Sequence, residues 1–150
     1  MVTVPGPDDA SWGASDVVAD FATHGYTDAG EAQALAAVRD QARGDVLDIG
    51  VGGGRTIGLL EPASGSYLGV DIAPEMLALA RQRFPGVELR EVDAVGLPGV
   101  PDHAFDLVVF SFNGLDAVGH RDRSTALASM ARVTRPGGRV LFSSLNLDGV

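Results

Sequence analysis

The fold class this sequence predicts is α/β, with a doubly wound, mostly parallel sheet. Three observations predict it. Short apolar runs alternate with helix-patterned segments from residue 45 onward. Four glycines crowd the stretch VLDIGVGGGR directly after the first such run. A later run, FDLVVFSF at 105–112, is apolar almost throughout, as a parallel strand buried on both faces must be.

Residues 1–14 read as a loose terminus. Ser15 can cap a short helix that places Val17, Val18 and Phe21 on one face. Asp28 and Glu31 stand at capping-box spacing, and Leu35, Val38 and Ala42 follow at helical intervals up to the stop signal Gly44. DVLDI (45–49) is the first strand, followed by the glycines and a helix through Leu59 and Leu60. YLGVD (67–71) is the second strand. APEMLALARQRF (73–84) is a helix with Pro74 in its first turn, where a missing N–H costs nothing. VELREVD (87–93) alternates as a third strand, and 105–112 is the fourth. RSTALASMARV (123–133) sets Leu127, Met130 and Ala131 on one helical face, and the turn RPGG (135–138) leads into a fifth strand, RVLFSSL (139–145). The expected organisation is one domain over 1–150, with N-terminal helices at 15–44 and a core at 45–145.

Composition narrows the class. A hydrophobic fraction of 45% over 150 residues is enough for one real core. No apolar run reaches membrane-span length, and MVTVPGPDDASWG lacks the basic and apolar regions of a signal peptide, so the expectation is a soluble cytoplasmic protein. There is no cysteine, hence no disulfide and no thiolate metal site, and no metal is expected. Twenty acids against eleven basic residues, all arginine, give a net charge of −9. Such a surface repels phosphate backbones, so nucleic-acid partners are disfavoured and a neutral or cationic small molecule is favoured.

In doubly wound sheets the ligand lies beyond the carboxyl ends of the strands, where strand order reverses. The residues there are Asp48 with the glycines, Asp71, Asp93 and the segment Ser111 to Asn113. A nicotinamide-binding G-x-G-x-x-G starting at Gly50 would need glycine where Arg55 stands, and a phosphate-binding Walker loop needs a lysine that the chain lacks. A carboxylate at Asp48 would repel a pyrophosphate and welcome a cation. S-adenosylmethionine carries an ammonium and a sulfonium and no phosphate.

On these residues the chain resembles the class I S-adenosylmethionine-dependent methyltransferases, in their small-molecule branch. The family's first motif matches DIGVGGG at Asp48, Gly50, Gly52 and Gly54, its second-strand acid matches Asp71 in GVDIAPEML, and its third-strand acid matches Asp93 in EVDA. The fourth strand FDLVVFSFNGLD and the RPGGRVLF turn and strand are similar as well, so the resemblance runs from about Tyr26 to Asn146. It implies a Rossmann-like sheet of order 3-2-1-4-5. It also implies a cofactor site at Asp48, Gly50, Gly52, Gly54 and Arg55, with Asp71 on the ribose hydroxyls. Ile72 would lie beside the adenine, Asp93 and the Ala94 N–H would read its edge, and Met76, Ser111 and Phe112 are expected among the cofactor contacts.

Methyl transfer from a sulfonium needs mainly alignment, and a base only where the acceptor must lose a proton. Candidates for that base are Asp116 and His120 after the fourth strand, and His24 and Tyr26 before the first full helix. Each has a plainer reading: an acid near 121–133 favours a helix N-terminus, and His24 and Tyr26 can simply cover the sheet. Arg55 either points to solvent or reaches the cofactor's carboxylate or an acidic acceptor. His103 reads as a surface turn residue.

The family's sheet has seven strands, and after position 145 there is no sequence for the last helix and the last two strands. The expectation is a sheet truncated after its fifth strand, with an apolar edge at 139–145 that pairs with a second copy in a homodimer. Two functions follow: methylation of a small-molecule acceptor, or a non-catalytic S-adenosylmethionine-binding module. A nicotinamide oxidoreductase is opposed by Arg55 and Asp48.

Overall fold

The structure is a computed structural model and describes residues 29–145. The elements expected from Ser15 and the capping role of Asp28 lie outside these residues. In chain order the elements are α1 (Ala29–Ala37), β1 (Asp45–Ile49), α2 (Ile57–Leu60), β2 (Ser66–Asp71), α3 (Pro74–Arg83), β3 (Leu89–Glu91), β4 (Phe105–Phe110), α4 (Gly114–Ala117), α5 (Arg123–Val133) and β5 (Thr134–Phe142). The five strands form one parallel sheet in the order β3-β2-β1-β4-β5, as the resemblance implies.

The two-residue alternation of the strands sorts their side chains onto two faces. Leu47 and Ile49 of β1 join Leu68 and Val70 of β2 and Val108 and Phe110 of β4 against Ala126, Met130 and Val133 of α5. Val46, Tyr67, Leu89, Leu107 and Val109 point the other way, onto Ile57 and Leu60 of α2 and Leu77 and Ala80 of α3. A central strand feeding both clusters has no solvent face, which is why DVLDI and FDLVVF are so uniformly apolar.

Several element boundaries differ from the sequence pattern. The first described helix stops at Ala37, and the chain reaches Gly44 through a separate single turn at Gln41–Arg43. Strand β3 spans three residues where seven alternate, because its ladder with β2 runs only from Leu89 to Glu91. The inward face of α5 is Ala126, Ser129, Met130 and Val133; Leu127 and Ala131 are exposed, so of the three expected core residues Met130 alone is in the core.

The fifth strand is displaced most. It begins at Thr134 and ends at Phe142, with RPGG absorbed inside it as a bulge. Phe105 pairs with Thr134 and Leu107 with Arg139, so Asp106 alone stands opposite four residues. Gly137 turns this bulge at φ +85°. Arg135 pins it by donating to Asp106 and Asp45, each at 2.6 Å. Ser66 also donates to Asp45 at 2.6 Å, and these hydrogen bonds hold the Asp45 carboxyl below its ordinary pKa.

Candidate functional site

Strand order reverses between β1 and β4, and a cavity of about 800 Å³ opens at the carboxyl ends of the strands there. This is the position expected for a ligand in an open α/β sheet, and the size lies within the range of roughly 300–1,000 Å³ usual for small-molecule sites. Its floor is the glycine loop. Gly50 and Gly52 take positive φ values of 64° and 53°. A Cβ on Gly52 would meet nothing nearer than the Gly50 carbonyl at 4.0 Å, so this position opens onto free space.

Asp71, the last residue of β2, fastens that floor. Its Oδ2 accepts the Gly52 N–H at 2.8 Å and its Oδ1 accepts the Ala73 N–H at 2.9 Å. Burial raises the Asp71 pKa and these backbone N–H groups oppose the rise. Ile72 and Met76 follow. Ile72 is 59% exposed yet lines the cavity, a large apolar side chain with nothing over it among the described residues; Met76 is buried beneath. Asp93, two residues past β3, is exposed at the rim and accepts the Val95 N–H at 2.8 Å. Ala94 lines the wall beside it.

The opposite wall comes from Arg55 and the exit of β4. Arg55 does not point to solvent, the first of the two courses its sequence position suggests. Its guanidinium forms a two-pronged bond to Glu31 of α1 at 2.6 and 2.7 Å, donates to Ser111 Oγ at 3.0 Å, and stacks 5.0 Å from the Phe112 ring centre. It still lines the cavity, with Ser111 and Phe112. Phe112 and Asn113 both have left-handed backbones, φ 53° and 57°. That conformation costs an L residue about 1–2 kcal/mol, less for asparagine.

Other expected ligands are placed elsewhere. Asp48 is fully buried and does not line the cavity. As the fourth residue of β1 it shares the face of Val46, so its carboxyl points beneath the loop and not out of the strand end. There Oδ2 accepts the hydroxyls of Thr56 and of Tyr67, the latter at 2.7 Å, while Oδ1 has no partner among the described residues. Burial pushes the Asp48 pKa up to about 6, and the same burial, with Asp48 adjacent, raises that of Tyr67.

Gly54, at φ +91°, also lies outside the cavity lining. A Cβ there would come within 2.7 Å of the Phe84 ring, so this glycine serves packing against the end of α3.

Of the candidate bases, Asp116 is turned away. Its carboxylate accepts Ser144 Oγ at 3.0 Å and the Leu145 N–H at 2.7 Å, with Arg123 at 3.8 Å. His120 is exposed and does not line the cavity, and His24 and Tyr26 lie outside the described residues. His103 is an exposed turn residue at φ +50°, as its sequence context suggests, with Nδ1 3.1 Å from the Thr134 carbonyl.

Glu31 as the partner of Arg55, and Thr56 and Tyr67 as the partners of Asp48, are not evident in the sequence pattern. For Asp48 an indirect signal existed. An acid inside an apolar strand must find buried donors, and Tyr67 lies on the neighbouring strand where alternation turns it to the same face.

A family model described as a methyltransferase domain matches residues 46–138, from the start of β1 through the β5 bulge. The chain belongs to this family. Among curated relatives of this methyltransferase domain, demethylmenaquinone methyltransferase of Thermus thermophilus is 40% identical over 102 residues, covering 64% of this chain and 44% of that protein. The ubiquinone/menaquinone biosynthesis C-methyltransferase UbiE of Burkholderia mallei is 37% identical over 133 residues, covering 84% of this chain and 53% of that protein. This methyltransferase chain therefore spans about half the length of the curated relatives it matches. Among solved structures, SAM-bound CalS10, an amino pentose methyltransferase from Micromonospora echinaspora, superposes with a TM-score of 0.70 at 30% identity, covering 85% of this chain and 56% of that one.

Proposed function

We propose that this domain binds S-adenosylmethionine in the cavity at the carboxyl ends of β1 to β4 and methylates a small-molecule acceptor there. One observation carries the reading. Among the described residues lining the cavity the charged side chains are Asp71, Glu75, Asp93 and Arg55, and Arg55 is engaged by Glu31. A ligand with a cationic part and no phosphate suits three acids and one compensated arginine; a pyrophosphate does not. The solved neighbour CalS10 is SAM-bound, and the curated relatives are named as methyltransferases, which supports the same reading over the non-catalytic alternative.

The residues present fit such a ligand. Asp71 keeps unused lone pairs that can accept ribose hydroxyls, and Ile72 with Met76 offers the apolar surface a flat base needs. Asp93 and the Ala94 N–H can read the base's edge, while Gly50 and Gly52 let the methionyl part approach the backbone. Asp48 would act from below through the loop. Arg55, Ser111 and Phe112 would close the opposite wall of the cofactor site. The bound cofactor supplies a methyl group already activated for in-line displacement. The protein's part is alignment and exclusion of water, which can supply much of the rate. The acceptor class is a small molecule, and the compartment we assign is the cytoplasm; among the described residues no helix is long and apolar enough to cross a membrane.

Calorimetry with S-adenosylmethionine, S-adenosylhomocysteine and NAD tests the cofactor. Binding of the first two, and its loss by about tenfold or more in Asp71→Ala, is expected. Preferential NAD binding would overturn the assignment.

We further infer that β5 pairs with a second copy. Among the described residues it is an edge of the sheet, and Val140, Phe142 and Leu145 are exposed along it and just beyond. Light scattering should report a dimer at micromolar concentration; a monomer mass at every concentration would remove this part of the reading.

A further inference from the structure

The chain leaves β4 through a turn that carries two consecutive left-handed residues with side chains, Phe112 and Asn113. A turn of this kind persists only where its surroundings over-determine it. Two of its bonds are local: the Gly114 N–H donates to the Ser111 carbonyl at 3.1 Å and the Asp116 N–H to the Asn113 carbonyl at 2.9 Å. The third is distant. The Asn113 N–H donates to the hydroxyl of Ser143, 30 residues away, at 2.7 Å.

Ser143 directly follows β5, and its own N–H donates to the Phe110 carbonyl at 3.3 Å. One serine thus grips the turn on both sides, through its backbone at the last residue of β4 and through its side chain at the second left-handed residue. The next two residues add Ser144 Oγ and the Leu145 N–H on the Asp116 carboxylate. What the turn presents to the cavity is Phe112, on whose ring Arg55 stacks.

We propose that Ser143 is a positioning residue of the site: its hydroxyl holds the strained Phe112–Asn113 turn, and through it fixes the Phe112–Arg55 wall of the cavity. The proposal rests on the reading of the cavity as a S-adenosylmethionine site. The hydroxyl matters because a left-handed asparagine without this acceptor has other backbone conformations of lower energy.

The test compares wild type, Ser143→Ala, Ser143→Thr and the double variant Ser143→Ala with Asn113→Gly. S-adenosylhomocysteine is titrated calorimetrically, and the melting midpoint and the hydrogen exchange of the Asn113 amide are followed. Ser143→Ala should bind about fivefold more weakly with a midpoint within about 5 °C of wild type, while Ser143→Thr, which keeps the hydroxyl, stays within about twofold. Asn113→Gly should restore affinity in the Ser143→Ala background, because glycine takes the left-handed conformation without steric cost. The Asn113 amide should be protected in wild type and in Ser143→Thr and unprotected in Ser143→Ala. Wild-type affinity in Ser143→Ala, a Ser143→Thr variant as weak as Ser143→Ala, or affinity lost only together with a collapsed midpoint would each overturn the proposal. If Ser143→Ala does not fold, an unprotected Asn113 amide in wild type overturns it, and a protected one together with near-wild-type binding by Ser143→Thr upholds it. A wild type that binds no S-adenosylhomocysteine refutes the cofactor reading instead, and the exchange of Asn113 still judges the grip of Ser143.

Discussion

Glu31 and Arg55, 24 positions apart, meet in a two-pronged ion pair whose side chains are 12% and 10% exposed. The pair joins α1 to the first turn after the glycine loop. Helix α1 buries none of its own residues, and among the described residues its apolar contact with the core is limited to the partly buried Leu35 and the adjacent Val38. The ion pair is therefore a principal tie between this helix and the cavity wall.

Breaking such a pair from one side leaves the other charge poorly solvated. Arg55→Ala and Glu31→Ala should each lower the unfolding free energy by about 3 kcal/mol, and the double variant by clearly less than their sum. A double-mutant cycle by urea denaturation measures this. Additivity within about 0.5 kcal/mol would show that the two side chains do not act as a pair.

Asp48 makes stability depend on pH in a definite direction. Its folded pKa, about 6, lies above the ordinary 3.8, because burial disfavours the carboxylate. Between pH 3.8 and 6 the folded chain keeps a proton that the unfolded chain has lost. The contribution is full below pH 3.8, falls as pH rises through this window, and is gone above 6. Its size is about 3 kcal/mol as an order of magnitude. Asp48→Asn should abolish this slope, so the stability difference between wild type and variant should shift in the variant's favour from pH 4 to pH 7. Parallel urea curves at each pH would contradict the assignment.

The two glycines at 52 and 54 should fail in different ways. Gly54→Ala drives a methyl group into Phe84 at a positive φ and should cost about 2–4 kcal/mol of stability, part of it recovered by Phe84→Leu. Gly52→Ala meets open space, so its stability cost should be about 1 kcal/mol, and it should weaken S-adenosylhomocysteine binding because its methyl group projects into the cavity. Thermal melts and calorimetry on both variants separate the effects. Equal loss of binding in a folded Gly54→Ala would mean that this position belongs to the cavity after all.

Much of the fold was legible because the signals are local. DVLDI is β1 residue for residue, and RSTALASMARV is α5. Apolar period and flanking glycine or proline decide such segments without reference to the rest of the chain. The fifth strand was misplaced because RPGG is a turn by composition, while its actual role, a four-residue bulge opposite Asp106, depends on a partner strand and on Arg135 reaching Asp45 and Asp106. The face of α5 was misjudged because Ala126 and Ser129 are small, and small residues at a close helix–sheet contact carry little hydrophobic signal.

The candidate site divides along the same line. Motif order and strand period are properties of the chain, so the sequence carries the family, the parallel α/β scaffold and the strand ends that surround the cavity. It also singled out Asp71, Ile72, Asp93, Ser111 and Phe112, all of which line that cavity. Which way each side chain faces and what it binds were left to the tertiary structure. It turned Asp48 and Gly54 inward and gave Arg55 to Glu31. It also turned Asp116 away from the cavity and set Ser143 beneath the left-handed turn at Asn113. These contacts join residues from 8 to 30 positions apart, and a one-dimensional pattern holds no information on which distant donor will meet a given acceptor once the sheet has closed the distance.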